Sequence, residues 1–220
     1  MKLTIIFGFL ISCKSKQKDK SDNEQFEEII NDPRVNSKEV GEREGIKYFQ
    51  VMQNGKTGFR DLDGKIVIEP KFDDAEMFSE GLSTVKVGDK YGLIDEKGNY
   101  VLPLTTFESL GSVHNGLASF RANDKYGFVN TAGQEIIKPQ FDWVDEFSEG
   151  LCVVRNDNGS PGTGKHGYID TTGKLIIDLQ FQYATKFERG RAKFEHNNLW
   201  GTIDTTGKVI EQATHLSATW

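Results

Sequence analysis

The chain has 220 residues, with 27 Lys and Arg against 33 Asp and Glu, for a formal charge of −6. That balance argues against a nucleic-acid binder, which would need a basic face. Two cysteines are too few for a disulfide framework, a structural zinc site or an iron–sulfur cluster. No apolar run reaches the roughly 18 residues of a membrane-spanning helix, and 23 Gly with 5 Pro point to many tight turns.

Residues Met1–Ser12 read MKLTIIFGFLIS: one Lys, an apolar stretch from Leu3 to Ile11, then a small residue. This is the pattern of a secretory signal. It runs into Leu10-Ile11-Ser12-Cys13, which resembles the lipobox of bacterial lipoproteins. The resemblance implies cleavage before Cys13 and acylation of that cysteine and its new amino terminus. Two or three acyl chains anchor a protein stably where one is marginal. The expected organisation is a signal over 1–12, an acylated, charged tether over 13–44 and a folded domain over 45–220. Within the tether, Phe26, Ile29 and Ile30 fall at i, i+3, i+4 behind Ser21 or Asp22, which allows one short helix.

The rest is a repeat. Gly58, Gly92, Gly127, Gly167 and Gly201 are spaced 34, 35, 40 and 34 residues apart. A second series, Gly64, Gly98, Gly133, Gly173 and Gly207, keeps the same spacings. Two more follow at Phe72, Phe107, Phe141, Phe181 and at Gly81, Gly116, Gly150, Gly190. The base period is 34, with one residue inserted near Leu104 and six after Asn156. Units of this length cannot bury their own apolar faces and must stack.

Each unit reads as strands and turns. Asp or Asn at i with Gly at i+3 (Asp61–Gly64, Asp95–Gly98, Asn130–Gly133, Asp170–Gly173, Asp204–Gly207) marks a turn closed by a left-handed glycine. Strands flank it, such as Tyr91–Asp95 before and Lys65–Glu69 after. Upstream lies a third strand whose fourth position is apolar (Phe49, Val85, Phe120, Val154, Phe194) and whose fifth is polar (Gln50, Lys86, Arg121, Arg155, Glu195). The connectors Phe72–Phe78, Phe107–Val113, Phe141–Phe147 and Phe181–Phe187 carry apolar residues at i, i+3, i+6, which predicts one helical or 3₁₀ turn each. The predicted fold is therefore all-β: five three-stranded meanders in an open, solenoid-like array. The alternative is a closed five-bladed, propeller-like ring, disfavoured because propeller blades usually have four strands and at least about 40 residues.

With the Lys-aromatic-Gly step, the Asp-x-x-Gly-Lys turn, the Pro-x-Phe step and Phe-Ser-Glu-Gly-Leu (Phe78–Leu82, Phe147–Leu151), residues 45–211 resemble the WG-repeat family. The Trp-Gly pair is intact only at Trp200-Gly201; Tyr91, Tyr126, His166 and Thr57 replace the Trp elsewhere. Leu179, Thr57 and Arg191 are further departures, which make the edge units less regular copies. The resemblance implies a repeat scaffold, often on secreted proteins and lipoproteins, and carries over no catalytic residue.

Three motifs invite stronger readings. Gly159 to Lys165 satisfies G-x-x-x-x-G-K, but His166 stands where a phosphate-binding loop needs Ser or Thr, and a strand follows instead of a helix. It reads as an elongated hairpin loop. The Asp-x-x-Gly turns supply too few oxygens for calcium. Cys152 aligns with Ser83, Ala118 and Ala192 and reads as a small buried residue, with none of His114, His166, His196 and His215 placed as its base. The aromatic column Tyr91, Tyr126, His166, Trp200 reads as core in preference to a binding ladder. The expected function is a lipid-anchored binding scaffold of the bacterial cell envelope for a protein or glycan partner, without catalysis, metal or cofactor. Asn158, Ser160 and Thr163 of the inserted loop are its candidate contacts. The alternatives are a hydrolase with a pocket between repeats and a purely structural envelope spacer.

Overall fold

The computed structural model describes residues 47–157 and 163–215. The chain divides into two compact units, 1–47 and 48–220; the predicted signal, Cys13 and tether lie outside the described residues. Unit two is all-β, with no helix among the described residues. Its strands form five separate antiparallel sheets taken in chain order. The first has β1 (Tyr48–Gln53), β2 (Lys56–Asp61) and β3 (Ile66–Phe72). The second has β4 (Asp74–Ala75), β5 (Leu82–Val87), β6 (Lys90–Asp95) and β7 (Tyr100–Thr106). The third has β8 (Ser109–His114), β9 (Leu117–Ala122), β10 (Lys125–Asn130) and β11 (Glu135–Phe141). The fourth has β12 (Trp143–Val144), β13 (Leu151–Asn156), β14 (Lys165–Asp170) and β15 (Leu175–Phe181). The fifth has β16 (Tyr183–Ala184), β17 (Arg191–His196), β18 (Leu199–Asp204) and β19 (Val209–His215).

Two expectations need correcting. Four of the five sheets have four strands, because the connectors are extended rather than helical. Asp74 and Ala75 pair with Lys86 and Val85, and the N–H of Asp73 and of Glu76 donate to Lys86 O and Thr84 O at 2.8 Å each. The edge of the following sheet offers backbone partners that a lone helical turn would lack, so pairing overrides the i, i+3, i+6 spacing. The first repeat is also registered differently: Val51, not Phe49, pairs with Gly58, as Val85 pairs with Gly92. The two-residue Asn54–Gly55 hairpin sets that register. Phe49 therefore occupies the slot of Ser83, and Gln50 that of Thr84 rather than Lys86.

Each sheet buries one face against the next. Phe59, Ile68 and Phe72 of the first sheet meet Ala75, Val85 and Ile94 of the second. Leu93 and Leu102 meet Val113, Phe120 and Val129 of the third. Phe128 and Phe141 meet Phe147, Cys152 and Ile169 of the fourth, and Tyr168, Ile177 and Phe181 meet Phe187, Phe194 and Ile203 of the fifth. At three of these interfaces a ring of one sheet packs on the connector Phe of the next: Phe59–Phe78, Phe128–Phe147 and Tyr168–Phe187, with centroids 4.6–4.9 Å apart. Each such buried side chain contributes roughly 1.5–3 kcal/mol.

Two glycine series permit this packing. Gly58 lies where β2 meets an irregularity in β3: Thr57 pairs with Phe72 and Phe59 with Ile68, so residues 69–71 arch over one glycine. A Cβ there would overlap Ile68 O and Pro70 N. The turn glycines have φ of +85° (Gly64), +80° (Gly98), +77° (Gly133), +86° (Gly173) and +84° (Gly207). They also seat the preceding sheet. An added Cβ at Gly98, Gly173 or Gly207 would stand 3.4, 3.1 or 3.2 Å from the side chain of Ile68, Ile137 or Ile177.

The array is open. Among the described residues no strand pair and no core cluster joins the fifth sheet to the first. Side-chain chemistry explains why. By register, Leu151, Val153, Tyr168 and Ile177 of the fourth sheet, which face the fifth, correspond to Arg191, Lys193, Thr202 and Glu211 of the fifth. Thr202 Oγ1 donates to Glu211 at 2.9 Å, and Arg191 lies 3.7 Å from Glu211. On the first sheet Arg60 stands where Ile94, Val129, Ile169 and Ile203 stand, with its guanidinium 5.5 Å from the Phe49 ring. Packing these two ends together would bury cations against cations, at several kcal/mol per ion. Polar outer faces are what terminal repeats of stacked arrays require.

Gly98→Val should lower stability by about 1–3 kcal/mol, through backbone strain at positive φ, while neighbouring Lys97→Val should change it by less than about 0.5 kcal/mol; urea titration measures both. Replacing Arg191, Lys193, Thr202 and Glu211 with Leu, Val, Tyr and Ile should make the protein self-associate with rising concentration, read by light scattering after gel filtration.

Candidate interaction site

The inserted loop leaves the fourth sheet between β13 and β14, where the other repeats have short hairpins. Its base is firmly held. Arg155 Nε lies 2.6 Å from Asp157 Oδ1, and Arg155 Nη2 donates to Asp157 Oδ2 at 3.1 Å. Gly164 N donates to Asp157 Oδ1 at 3.2 Å. Asp157 N donates to Asp142 Oδ2 at 2.9 Å, while Lys125 Nζ of the preceding repeat donates to Asp142 Oδ1 at 2.6 Å. Hydrogen bonds from the Asp157 backbone and from Lys125 hold the Asp142 carboxyl below its usual range. Asp157 itself is buried. This elaborates a device of the repeat: Asp73 accepts from Lys56 at 2.6 Å and from Gly88 N of the next hairpin at 2.7 Å. Of the predicted contacts, Asn158 and Ser160 lie outside the described residues, and Thr163 is exposed beside Gly164.

The same Arg155 joins the loop to a row of rings. Its guanidinium lies 6.0 Å from the Trp143 ring. Trp143 meets His166 at 5.8 Å, His166 meets Tyr183 at 5.5 Å, and Tyr183 meets Trp200 at 5.5 Å. Of the predicted column, His166 is buried and Tyr91, Tyr126 and Trp200 are half-buried, so it is neither wholly core nor a free ladder, and the row just described takes in Trp143 and Tyr183 besides. His166 is buried, Trp143 and Trp200 are half-buried, and Tyr183 is 48% exposed. Burial, with Arg155 close by, pushes the His166 pKa down and favours the neutral ring. Tyr183 and Trp143 belong to the short connector strands, which the helical reading of those segments could not place.

A cleft of about 260 Å³ opens along the connectors of the second to fourth sheets, bordered by Glu76, Gly111, Ser112, His114, Asp145 and Glu146. It exists because Gly111 and Ser112 stand where other connectors carry Glu76 and Met77 or Asp145 and Glu146. His114 Nε2 lies 3.4 Å from Glu146, which also pairs with Lys186 at 3.6 Å. Cys152 is fully buried, its thiol donates to Asp145 O at 3.1 Å as Ser83 donates to Glu76 O at 2.6 Å, and burial pushes its pKa up. A buried, protonated thiol is a poor nucleophile.

The turn aspartates serve their own backbone. Asp61 Oδ1 accepts from Asp63 N at 3.0 Å and Lys65 N at 2.9 Å. Asp95, Asn130, Asp170 and Asp204 repeat the pattern. Hydrogen bonds from Asn99, Thr172 and Thr206 hold the carboxyls of Asp95, Asp170 and Asp204 below the usual range. Among the described residues no group of three His, Cys, Asp or Glu is arranged to hold a metal ion.

A family model for the WG containing repeat matches residues 58–91, 91–126, 126–159 and 167–200, more than half of the chain. The chain belongs to the WG-repeat family. No curated protein matches it. Among solved structures it is similar to Kluyveromyces lactis Hsv2, at 12% identity and a TM-score of 0.52, over 75% of this chain and 59% of that one. The same protein with its complete loop 6CD matches at 11% identity and a TM-score of 0.51, over 75% and 58%. The chain thus spans about three fifths of the length of these structures. The likeness is one of fold alone. The matched WG repeats coincide with the registers described above, and the fourth copy begins at Gly167, just past the inserted loop.

Asp157→Ala should cost about 1–3 kcal/mol, because it leaves the Arg155 guanidinium and the Gly164 N–H without their shared acceptor. Urea denaturation measures the loss, and limited proteolysis should cut faster between residues 157 and 164.

Proposed function

We propose that this WG-repeat protein is a lipid-anchored scaffold of the bacterial cell envelope that binds a protein or glycan partner without performing catalysis. The observation that carries the reading is the inserted loop: the fourth repeat is longer between β13 and β14 than its sisters, and the buried Asp157 carboxylate ties the base of that loop to Arg155 and Gly164. Loops that vary on one face of a regular stack are where repeat arrays make specific contacts. The aromatic row beside it offers large, stiff side chains of the kind enriched in binding surfaces. Leu10-Ile11-Ser12-Cys13 supports the anchor, with Cys13 acylated and the charged segment to residue 44 as the tether. The envelope side, whether outer membrane, periplasmic or surface, follows from where such a lipoprotein is delivered.

Two experiments test this reading. Cys13→Ala should leave an uncleaved precursor or release the protein from the membrane fraction; membrane retention at the mature size would end the lipoprotein reading. Affinity capture from envelope extract should recover a partner with the intact chain, and lose it when residues 157–164 are exchanged for the short Asn123–Asp124 hairpin of the third repeat. Equal capture by both chains would remove the loop from the contact.

A further inference from the structure

Three middle repeats place a cation against a ring at one repeat position. Lys86, Arg121 and Arg155 hold the fifth position of β5, β9 and β13. Lys86 Nζ lies 5.3 Å from the Tyr91 ring, Arg121 Cζ 5.9 Å from Tyr126 and Arg155 Cζ 6.0 Å from Trp143. In each case the ring is the directly opposed cross-strand neighbour: Lys86 pairs with Tyr91, Arg121 with Tyr126 and Arg155 with Trp143. Side chains opposed in this way share one face of the sheet.

The fifth repeat keeps the rings and changes the charge. Glu195 holds the fifth position of β17, opposite Tyr183 on one side and Trp200 on the other. The two rings have centroids 5.5 Å apart at an interplanar angle of 56°. In strand alternation Glu195 shares a face with Arg191 and Lys193, the face of the fifth sheet turned away from the fourth. Among the described residues, none of the ion pairs involves Glu195, and no cation stands over Tyr183 or Trp200. A glutamate opposite two aromatic residues is the complement of the basic side chain that the sister repeats supply at the same register.

We propose that Tyr183, Glu195 and Trp200 form a site for a basic side chain, Lys or Arg, of a partner polypeptide. The ring faces attract the cation through their quadrupoles, and the carboxylate adds a charge-assisted hydrogen bond. The sister repeats name the ligand chemistry, since the cations they set against rings are Lys and Arg side chains. The proposal rests on the reading of this chain as an interaction scaffold and assigns a contact separate from the inserted loop.

The test is a titration of the full chain followed by the indole N–H resonance of Trp200, assigned with Trp200→Phe. The ligands are acetyl-Gly-Arg-Gly-amide and its norleucine counterpart at constant ionic strength. The arginine peptide should give a saturable shift and the norleucine peptide none. Glu195→Arg, which gives the fifth repeat the charge of the third and fourth, should weaken the response about fivefold or more and keep the melting temperature. Exchange of residues 157–164 should leave the response unchanged, which separates this site from the loop. Equal shifts from both peptides, no saturable shift, or an undiminished response in Glu195→Arg would overturn the proposal.

Discussion

The structure depends on how closely one sheet can approach the next. A three- or four-stranded meander has one apolar face and no second layer of its own, so its stability comes from the neighbour it covers. The approach is set at the Asp-x-x-Gly turns, where the turn of one repeat rests on the aliphatic side chain of the repeat before it. Gly98 over Ile68, Gly173 over Ile137 and Gly207 over Ile177 leave contact distances of 3.1–3.4 Å to an added Cβ. A larger residue there would strain its own backbone and push the sheets apart. One glycine thus meets a local demand, positive φ, and a tertiary one, clearance. The Asp Oδ1 that gathers the i+2 and i+4 amide hydrogens holds each turn in that shape.

Backbone and side-chain ladders run between repeats on the same principle. At each Ser-Glu-Gly turn two consecutive residues have positive φ, such as Glu80 at 51° and Gly81 at 76°. The Glu80 carboxylate accepts from Asn115 N and Gly116 N at 2.6 and 2.9 Å, and Glu149 accepts from Arg189 N and Gly190 N at 2.6 and 2.8 Å. Each turn orders the following one. At the next such turn Arg189 stands in the place of Glu149 and brings no carboxylate to continue the ladder, and in the same repeat Arg191, Lys193, Thr202 and Glu211 make a polar face. Regular repeats supply rigidity, and the irregular features (the inserted loop, the small residues of the third connector and the charge change at Glu195) are where binding chemistry can differ from one repeat to the next.

Periodicity made most of this legible. Four series of residues keeping a 34-residue step reveal the repeat, its turns and its long strands, because every copy faces the same packing problem. The polar caps are legible in the copies as well: Arg60 stands where Ile94, Val129, Ile169 and Ile203 stand, Arg191 where Leu82, Leu117 and Leu151 stand, and Glu211 where Leu102, Ile137 and Ile177 stand. In the first strand Phe49 is apolar in the place of a small residue, so hydrophobicity points two residues away from the pairing of Val51 with Gly58. Only the hairpin geometry at Asn54–Gly55 corrects it.

The chain by itself determined the repeat, its turn chemistry and its acidic balance, since these depend on local backbone preference and composition. Tertiary structure decided the rest. The connectors became strands because an unpaired sheet edge lay beside them, and no local spacing records the presence of that edge. His166, Tyr183 and Trp143 became one row because sheets stack, which joins residues of different repeats. Glu195 acquired meaning only when its cross-strand neighbours were known to be two rings and its sisters to be cations. Contacts between repeats depend on register and on which face each side chain takes, and both are fixed by pairing across distances that sequence order does not encode.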